Sequence, residues 1–353
     1  GLIDIDSQLP KVSIIIPHWN GINVLSECLI SLKKSNFNSF EIIISDNSST
    51  DGSQQWIKDN HPDVILIENK KNFGYAGGCN IGSEKARGQY LIFLNNDTIQ
   101  DPDWILHLVN RMDSNILIGA AQPKILNYYK KNVFDYAGGS GGYMDLFCFP
   151  FARGRLFLDQ EVDKGQYDNP QKCFWASGTA IIVRKKLFIE AGKFEEVFFA
   201  HMEEIDLCWR FQAMGYEIWV EPKSKVFHKN AVSLPMNSQK KYYLNHRNSL
   251  IMILSNYSIP LSLYLGSLRL IFEFIAFLYA IKKLDYNHMI GILKSGLWLV
   301  INPVTIIKKR INFKKIRRVN DKKIIENMTK NSIVMQHYLF RKKTYSDIVS
   351  KKD

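Results

Sequence analysis

Four short apolar runs recur in the first hundred residues, three of them closed by a polar or acidic stretch, and this repetition leaves few folds open. Val12-Ser13-Ile14-Ile15-Ile16 stops at Pro17-His18-Trp19-Asn20. Glu41-Ile42-Ile43-Ile44-Ser45 stops at Asp46-Asn47-Ser48-Ser49-Thr50-Asp51. Val64-Ile65-Leu66-Ile67 follows, and Tyr90-Leu91-Ile92-Phe93-Leu94 runs into Asn95-Asn96-Asp97-Thr98. Runs of this length and composition read as buried strands. Between them Leu25, Leu29 and Leu32 repeat at the spacing of one helical face, and Gln54 follows Asp51 at the offset of an approximate capping pair. Strands alternating with helices predict a doubly wound α/β sheet, mostly parallel, because parallel strands need crossover helices. Ligands bind beyond the carboxyl ends of such strands, where Asp46 and Asp97 are both expected.

The chemistry of that edge is hard and oxygen-rich. One carboxylate beside two carboxamides at Asn95-Asn96-Asp97 suits Mg²⁺ or Mn²⁺, with substrate phosphates completing the shell. A plain Asn/Asp turn explains the tetrapeptide equally well by itself. Two acids converging on one sheet edge are harder to explain by packing. Asn72 to Gly82 is glycine-rich, which permits close backbone approach or positive φ, and it reads as a loop entering a helix over Asn80 to Arg87. It is neither a Walker loop nor a dinucleotide fingerprint, since it lacks Gly-Lys-Ser/Thr and does not follow the first strand. Further on, Glu203-Glu204-Ile205-Asp206 crowds three carboxylates into four residues, which raises at least one pKa unless cations or donors compensate. On a helix, Glu203 and Asp206 share a face, Glu204 points elsewhere, and Arg210 lies at i+4 from Asp206. A solvated acidic helix start is the competing reading.

Charge is unevenly spread. Lys308 to Asp353 holds 15 Lys/Arg against 4 Asp/Glu, a net of +11 out of the chain's +12. The remainder is near neutral, which gives no electrostatic case for nucleic-acid binding by it. Leu261 to Ile281 and Met289 to Ile307 are strongly apolar. Arg269 and Glu273 interrupt the first; Lys294, Asn302 and Pro303 interrupt the second. Apolar helices beside a basic cluster predict association with an anionic membrane surface, with a packed helical subdomain or homo-oligomer interface as the alternative. The five cysteines are odd in number and form no C-x-x-C pair, which fits a reducing compartment. Gly1 to Pro10 is acidic without an apolar core, so no signal peptide is expected, and the missing Met suggests a processed start.

In order and spacing, Val12 to Asn20, Asp46 to Asp51, Asn72 to Gly82 and Leu94 to Thr98 resemble the family 2 inverting glycosyltransferases of GT-A fold. A second block agrees: Trp175 to Ala180, Ala191 to Phe194, His201 to Arg210, Gly215-Tyr216 and Val226-Phe227-His228. The likeness spans roughly residues 11–235 and lies nearest to bacterial rhamnosyltransferases that extend surface polysaccharides. It implies that Asp46 binds the nucleotide base through its ring N–H, and that Pro17, Asn20, Asn72, Gly74, Gly77, Asn96 and Asp97 surround the donor. Asp97 and His228 hold the metal, Mn²⁺ or Mg²⁺. Asn95 and Asn96 stand where other members carry Asp, which implies weaker metal affinity. Glu204 takes the place of the general base, with Trp175, Gly178, Thr179, Glu203, Asp206 and Arg210 on the acceptor side or behind it.

The expected organisation is a GT-A domain over residues 1–245, apolar membrane-associated helices over 246–307, and a basic tail over 308–353. The expected partners are a nucleotide-diphosphate sugar, a lipid-linked saccharide and the cytoplasmic face of a bacterial membrane. The expected donor is dTDP-β-L-rhamnose, with a UDP-sugar as the alternative. A catalytically silent scaffold and a nucleic-acid-binding tail remain the readings from other classes.

Overall fold

The computed structural model describes residues 9–231 and 234–349. Most of the segment on which the signal-peptide expectation rests lies outside these residues, as do the last four residues of the basic stretch. The amino-terminal half alternates as β1 (Val12–His18), α1 (Ile22–Lys33), β2 (Phe40–Asp46), α2 (Ser53–Asn60), β3 (Ile65–Glu68), α3 (Gly74–Glu84), β4 (Tyr90–Leu94), β5 (Thr98–Gln100), α4 (Trp104–Ser114) and β6 (Ile118–Asn127). Four short strands follow, β7 (Gly142–Met144), β8 (Pro150–Ala152), β9 (Arg155–Leu156) and β10 (Asp159–Gln160), forming a small separate sheet. Next come β11 (Gln171–Cys173), β12 (Ala180–Arg184), α5 (Lys185–Glu190), α6 (Glu203–Ala213) and β13 (Glu217–His228).

The main sheet runs β11-β13-β6-β12-β4-β1-β2-β3, with β5 on β13. Its β3-β2-β1-β4 part is parallel, as the alternation predicts. Beyond β4 the sheet is mixed, because β12 enters antiparallel between β4 and β6 while β6 and β13 run parallel. Register gathers the edge that matters: His18 lies beside Asp46, Ala180 opposite Leu94, and His228 opposite Thr98. The β1 strand is buried on both faces. Ile15 packs with α3 and α6 residues on one side, while Ile14 and Ile16 pack with Leu25, Leu29 and Leu32 of α1 on the other.

Two local expectations need correction. The glycine-rich stretch is not a loop before a helix at Asn80; α3 already starts at Gly74. Its glycines let the helix lie directly on the sheet, since a Cβ at Gly82 would come within 2.5 Å of Ile15 and one at Gly78 within 2.9 Å of Asn47. Close packing outweighs the poor helix propensity of glycine here. Gln54 does not pair with Asp51 as a cap either. The N-cap of α2 is Gly52, and Gln54 Nε2 donates to Asp46 Oδ2 at 2.6 Å.

The carboxyl-terminal third is helical: α7 (Gln239–Asn256), α8 (Ile259–Lys282), α9 (Tyr286–Ile301), α10 (Pro303–Ile316), α11 (Asp321–Ile325), α12 (Ile333–Tyr338) and α13 (Tyr345–Ile348). The expected boundary at residue 245 falls inside α7. Nor is the basic segment a loose tail. Phe313, Ile324 and Met328 join the main core, Ile333 N donates to buried Asp145 at 2.9 Å, and Tyr345 and Ile348 pack with Phe134 and Phe151.

Arg269 and Glu273, which interrupt the first apolar segment in sequence, turn inward. They pair at 2.8 Å, and Arg269 also donates to Phe147 O and Ser249 Oγ. The outward face of α8 is left apolar, with Leu263, Leu270, Ile271, Phe274 and Leu278 exposed. Among the described residues, α8 is the single helix long and apolar enough to cross a membrane, while α9 and α10 meet at a bend of 73°. Pro303 begins α10 at this break.

Candidate active site

The carboxyl ends of β1, β2 and β4 present the first cluster. Asp97 follows β4 and is almost wholly buried; its Oδ2 accepts from Ala231 N at 2.9 Å. His228, the last residue of β13, brings Nε2 to 3.2 Å from Asp97 Oδ1, off the line of a hydrogen bond, so this ring nitrogen has no hydrogen-bond partner. The opposite nitrogen, Nδ1, bonds to Asp135 at 2.9 Å, and Asp135 also accepts from Asn230 Nδ2 at 2.8 Å. Burial alone would lower the His228 pKa, but the two carboxylates override it and lift the imidazole to about 10. The same contact works on Asp97: burial pushes its carboxyl up, yet His228 and its hydrogen bonds hold it below the usual range.

The donor set fits a divalent cation in part. Among the described residues no group of three or more His, Cys, Asp or Glu side chains is gathered as a ready cage. Asp97 Oδ1 and the orphaned His228 Nε2 face one another, and Asp135 fixes the ring from behind in the manner of an outer-shell partner. Two protein ligands leave positions for substrate oxygens and water, which is how Mg²⁺ and Mn²⁺ commonly bind beside diphosphates. His228 must be neutral to ligate, so loading a cation would expel its proton. Asp135 has no sequence signal of its own, being 93 positions from its partner.

Asp46 sits at the end of β2 with no exposed surface. It accepts from Ser49 N (3.0 Å), Ser49 Oγ (2.6 Å) and Gln54 Nε2 (2.6 Å). These three donors take most of the roughly four acceptor positions a carboxylate offers. The neighbouring loops are stitched together. Asn20 N donates to Ser49 Oγ, Thr50 N donates to Asn20 Oδ1, and Gly21 N donates to Asp51 Oδ2. Pro17 lies against Gly78 of α3, Asn96 bonds to His18 Nδ1 at 2.9 Å, and Asn72 Oδ1 accepts from Gly74 N.

The second cluster starts α6. Burial raises both Glu203 and Glu204, and for Glu203 the neighbouring Glu204 adds to the rise. Glu204 is lifted to about 7 by burial. One oxygen of each is buried without a hydrogen-bond partner. Glu204 lies against Gly178, to whose carbonyl Tyr75 donates at 2.6 Å, and Asn95 N donates to Thr179 O at 2.9 Å. This short chain of contacts ties Glu204 to the strand that delivers Asp97. Trp175 stands behind, its Nε1 donating to Tyr143 O.

Asp206 and Arg210 pair at i and i+4, the arrangement expected of residues standing behind the acceptor side. Asp206 is fully buried and holds Arg210 (3.0 Å), Lys309 of α10 (2.8 Å) and Asn256 of α7 (2.8 Å), while Arg210 also donates to Ala191 O and Lys193 O. They brace α6 rather than line a cleft. What sequence reasoning missed is the turn before α6. Phe199, His201 and Met202 all have positive φ, and the turn is clamped from α7, where buried Asn248 donates to the carbonyls of Phe198, Ala200 and His201 at 2.8–3.0 Å. Arg247 adds a bond of 2.5 Å to Val197 O. His201 Nε2 is buried without a partner, and burial followed by Lys241 and Lys240 lowers this ring to about 4, so it is neutral.

Comparison with known proteins follows the same edge of the sheet. Residues 13–187 match the family described as Glycosyl transferase family 2. The O-antigen biosynthesis protein RfbC of Myxococcus xanthus is 26% identical over 238 residues, 64% of this chain and 18% of RfbC. Glycosyltransferase GlyG of Streptococcus pneumoniae is 28% identical over 204 residues, 55% of this chain and 62% of GlyG, so the chain spans less than two thirds of either relative. The N-acetylglucosaminyl-diphospho-decaprenol L-rhamnosyltransferase of Mycobacterium tuberculosis is 24% identical over 249 residues, 66% of this chain and 81% of that protein. In fold, the crystal structure of GalNAc-T7 with UDP, GalNAc and Mn²⁺ superposes with a TM-score of 0.61 at 17% identity, covering 94% of this chain and 59% of that one.

Proposed function

Residues 13–187 match glycosyl transferase family 2, and on that footing we propose that the chain is an inverting, divalent-metal-dependent sugar transferase of bacterial surface-polysaccharide synthesis. It moves L-rhamnose from dTDP-β-L-rhamnose to a lipid-linked saccharide at the cytoplasmic face of the membrane. One observation carries this reading: a carboxylate lifted to about 7 and a facing Asp97–His228 pair stand on the same edge of one sheet. The M. tuberculosis relative, named for rhamnosyl transfer to a diphospho-decaprenol acceptor, supports the choice of donor and acceptor.

In this reading the acceptor oxygen attacks the anomeric carbon from the face opposite the nucleotide. The bond from that carbon to the diphosphate oxygen breaks, its electron pair leaves on the nucleoside diphosphate, and the acceptor proton passes to Glu204. A divalent ion on Asp97 and His228 would supply positive charge against the departing diphosphate. Asp46 reads the base as Ser49 and Gln54 give way to it, Pro17 and Asn20 shape the pocket floor, and Asn72, Gly74 and Gly77 set the loop and helix start beside it. The exposed apolar face of α8 and the nearby lysines support a peripheral membrane position, and residues 9–245 with α7 form the catalytic body.

The test is donor hydrolysis across dTDP-β-L-rhamnose, UDP-galactose, UDP-glucose and UDP-GlcNAc, each with and without Mn²⁺. Turnover of the rhamnosyl donor that needs the cation is the expected result. A uridine donor consumed instead would reassign the sugar, since uracil and thymine offer Asp46 the same N–H. Absence of both hydrolysis and nucleotide binding would leave a silent scaffold.

A further inference from the structure

A groove of about 560 Å³ runs between α7 and α9, in the range of small-molecule sites. Its walls change character along its length. At one end Lys240 and Lys294 stand exposed, and among the described residues neither ammonium pairs with a carboxylate; Lys294 Nζ touches only Gln239 Oε1 at 2.7 Å. At the other end Leu297 and Ile301 are 59% and 65% exposed and run on into the apolar outer surface of Val300 and Val304. The cationic end abuts the turn that leads to Glu204. Lys240 Nζ lies over the Phe199 ring, 4.3 Å from its centroid. Tyr243 and Trp298, both in the groove wall, contact Arg247, which holds the Val197 carbonyl.

We infer that this groove receives the diphosphate and first isoprene units of a polyprenyl-diphosphate-linked acceptor and aims its saccharide at Glu204. The inference deepens the transferase reading and rests on it. Its ground is the order of chemistries along one path: an apolar surface, then two cations that no carboxylate among the described residues neutralises, then a carboxylate able to take a proton. A lipid, a diphosphate and a sugar hydroxyl follow one another in the same order in such an acceptor. Lysine suits the middle position as a mobile point charge for phosphate oxygens. Tyr243 and Trp298 offer flat apolar walls with polar edges where the ligand passes from lipid to water.

The experiment is calorimetric titration of the full chain with farnesyl diphosphate, a sugar-free member of the class, with inorganic pyrophosphate and farnesol as separate arms. Farnesyl diphosphate should bind at least tenfold more tightly than either fragment, and saturating dTDP should not displace it. The double variant Lys240→Ala/Lys294→Ala should weaken binding tenfold or more. Leu297→Asp, a second exposed position, should weaken the lipid arm while sparing pyrophosphate, and Lys58→Ala at the far sheet edge should change nothing. Thermal melts check that each variant is folded. Wild-type affinity in the double variant, equal binding of pyrophosphate, or displacement by dTDP each overturns the inference. If the protein hydrolyses donor but ignores farnesyl diphosphate, the groove assignment falls while the transferase stands. If it binds farnesyl diphosphate but never binds or hydrolyses a nucleotide sugar, the transferase reading fails and takes the acceptor role with it.

Discussion

Glu204 and Asp135 show what single side chains settle here. Burial lifts Glu204 to about 7, and a base acts only when ionised. The sign follows directly: below pH 7 the carboxyl keeps its proton, so kcat/KM should fall about tenfold per pH unit in acid and level off above 7. Glu204→Gln should lose that limb and lower turnover by roughly 10²–10⁴-fold with donor affinity kept, the usual contribution of a positioned base. A near wild-type rate in Glu204→Gln, with Glu203→Gln inactive, would move the role to Glu203. Asp135→Asn keeps the size of the side chain but weakens its hold on His228 Nδ1. Loss of such an outer partner costs about 10–100-fold in metal affinity, readable by Mn²⁺ titration. The positions of Asp97, Glu204 and His228 were legible because each closes or opens a recognisable strand or helix. Asp135 was not, since its role depends on a loop folding back beside β13, and no local pattern encodes that.

Just before α6, and clamped from α7, lies the element whose shape the sequence concealed. Three non-glycine residues of the turn 199–202 have positive φ, a strain of order 1–3 kcal/mol each that persists only when neighbours enforce it. Asn248 is the enforcer, with three carbonyls on one amide. Asn248→Ala should lower stability by about 1–3 kcal/mol in urea unfolding, because buried carbonyls lose their donor. It should also reduce kcat more than donor affinity, because the turn sets the start of α6. Unchanged turnover would show that Glu204 is placed without the clamp. The strands β1, β2 and β4 were readable from composition because their apolar runs are buried, while half-exposed β3 was marked by its apolar run alone. The start of α3 was hidden because glycine usually announces a loop, and here it serves a helix pressed onto β1.

For the molecule as a whole, the basic carboxyl-terminal stretch serves both charge and packing. Removing residues 308–353 would take Lys309 from Asp206 and Phe313, Ile324 and Met328 from the core. That deletion should unfold the protein rather than merely free it from lipid. Charge alone is tested by converting exposed Lys308, Lys314, Lys315 and Lys322 to Gln. Binding to anionic vesicles should weaken by on the order of 1 kcal/mol per lysine near the surface, with neutral vesicles little affected. Equal binding of wild type and variant to anionic vesicles at low salt would remove electrostatics from the anchor. Net charge was legible from the sequence, whereas its docking was not, because lysine patterns show sign and say nothing about a buried partner a hundred residues away.

The Asp206–Lys309 contact also bears on how the protein is made. A ribosome that has released residues up to His228 has already built every side chain proposed for the chemistry. Asn248 and Lys309 are still unmade, and at about 5–20 residues per second the latter follows Asp206 by roughly 5–20 s. Through that interval the strained turn has no clamp, and Asp206 has Arg210 but lacks its second cation. On the proposed function, synthesis itself would time the onset of catalysis, because the start of α6 is secured only when the last helices emerge.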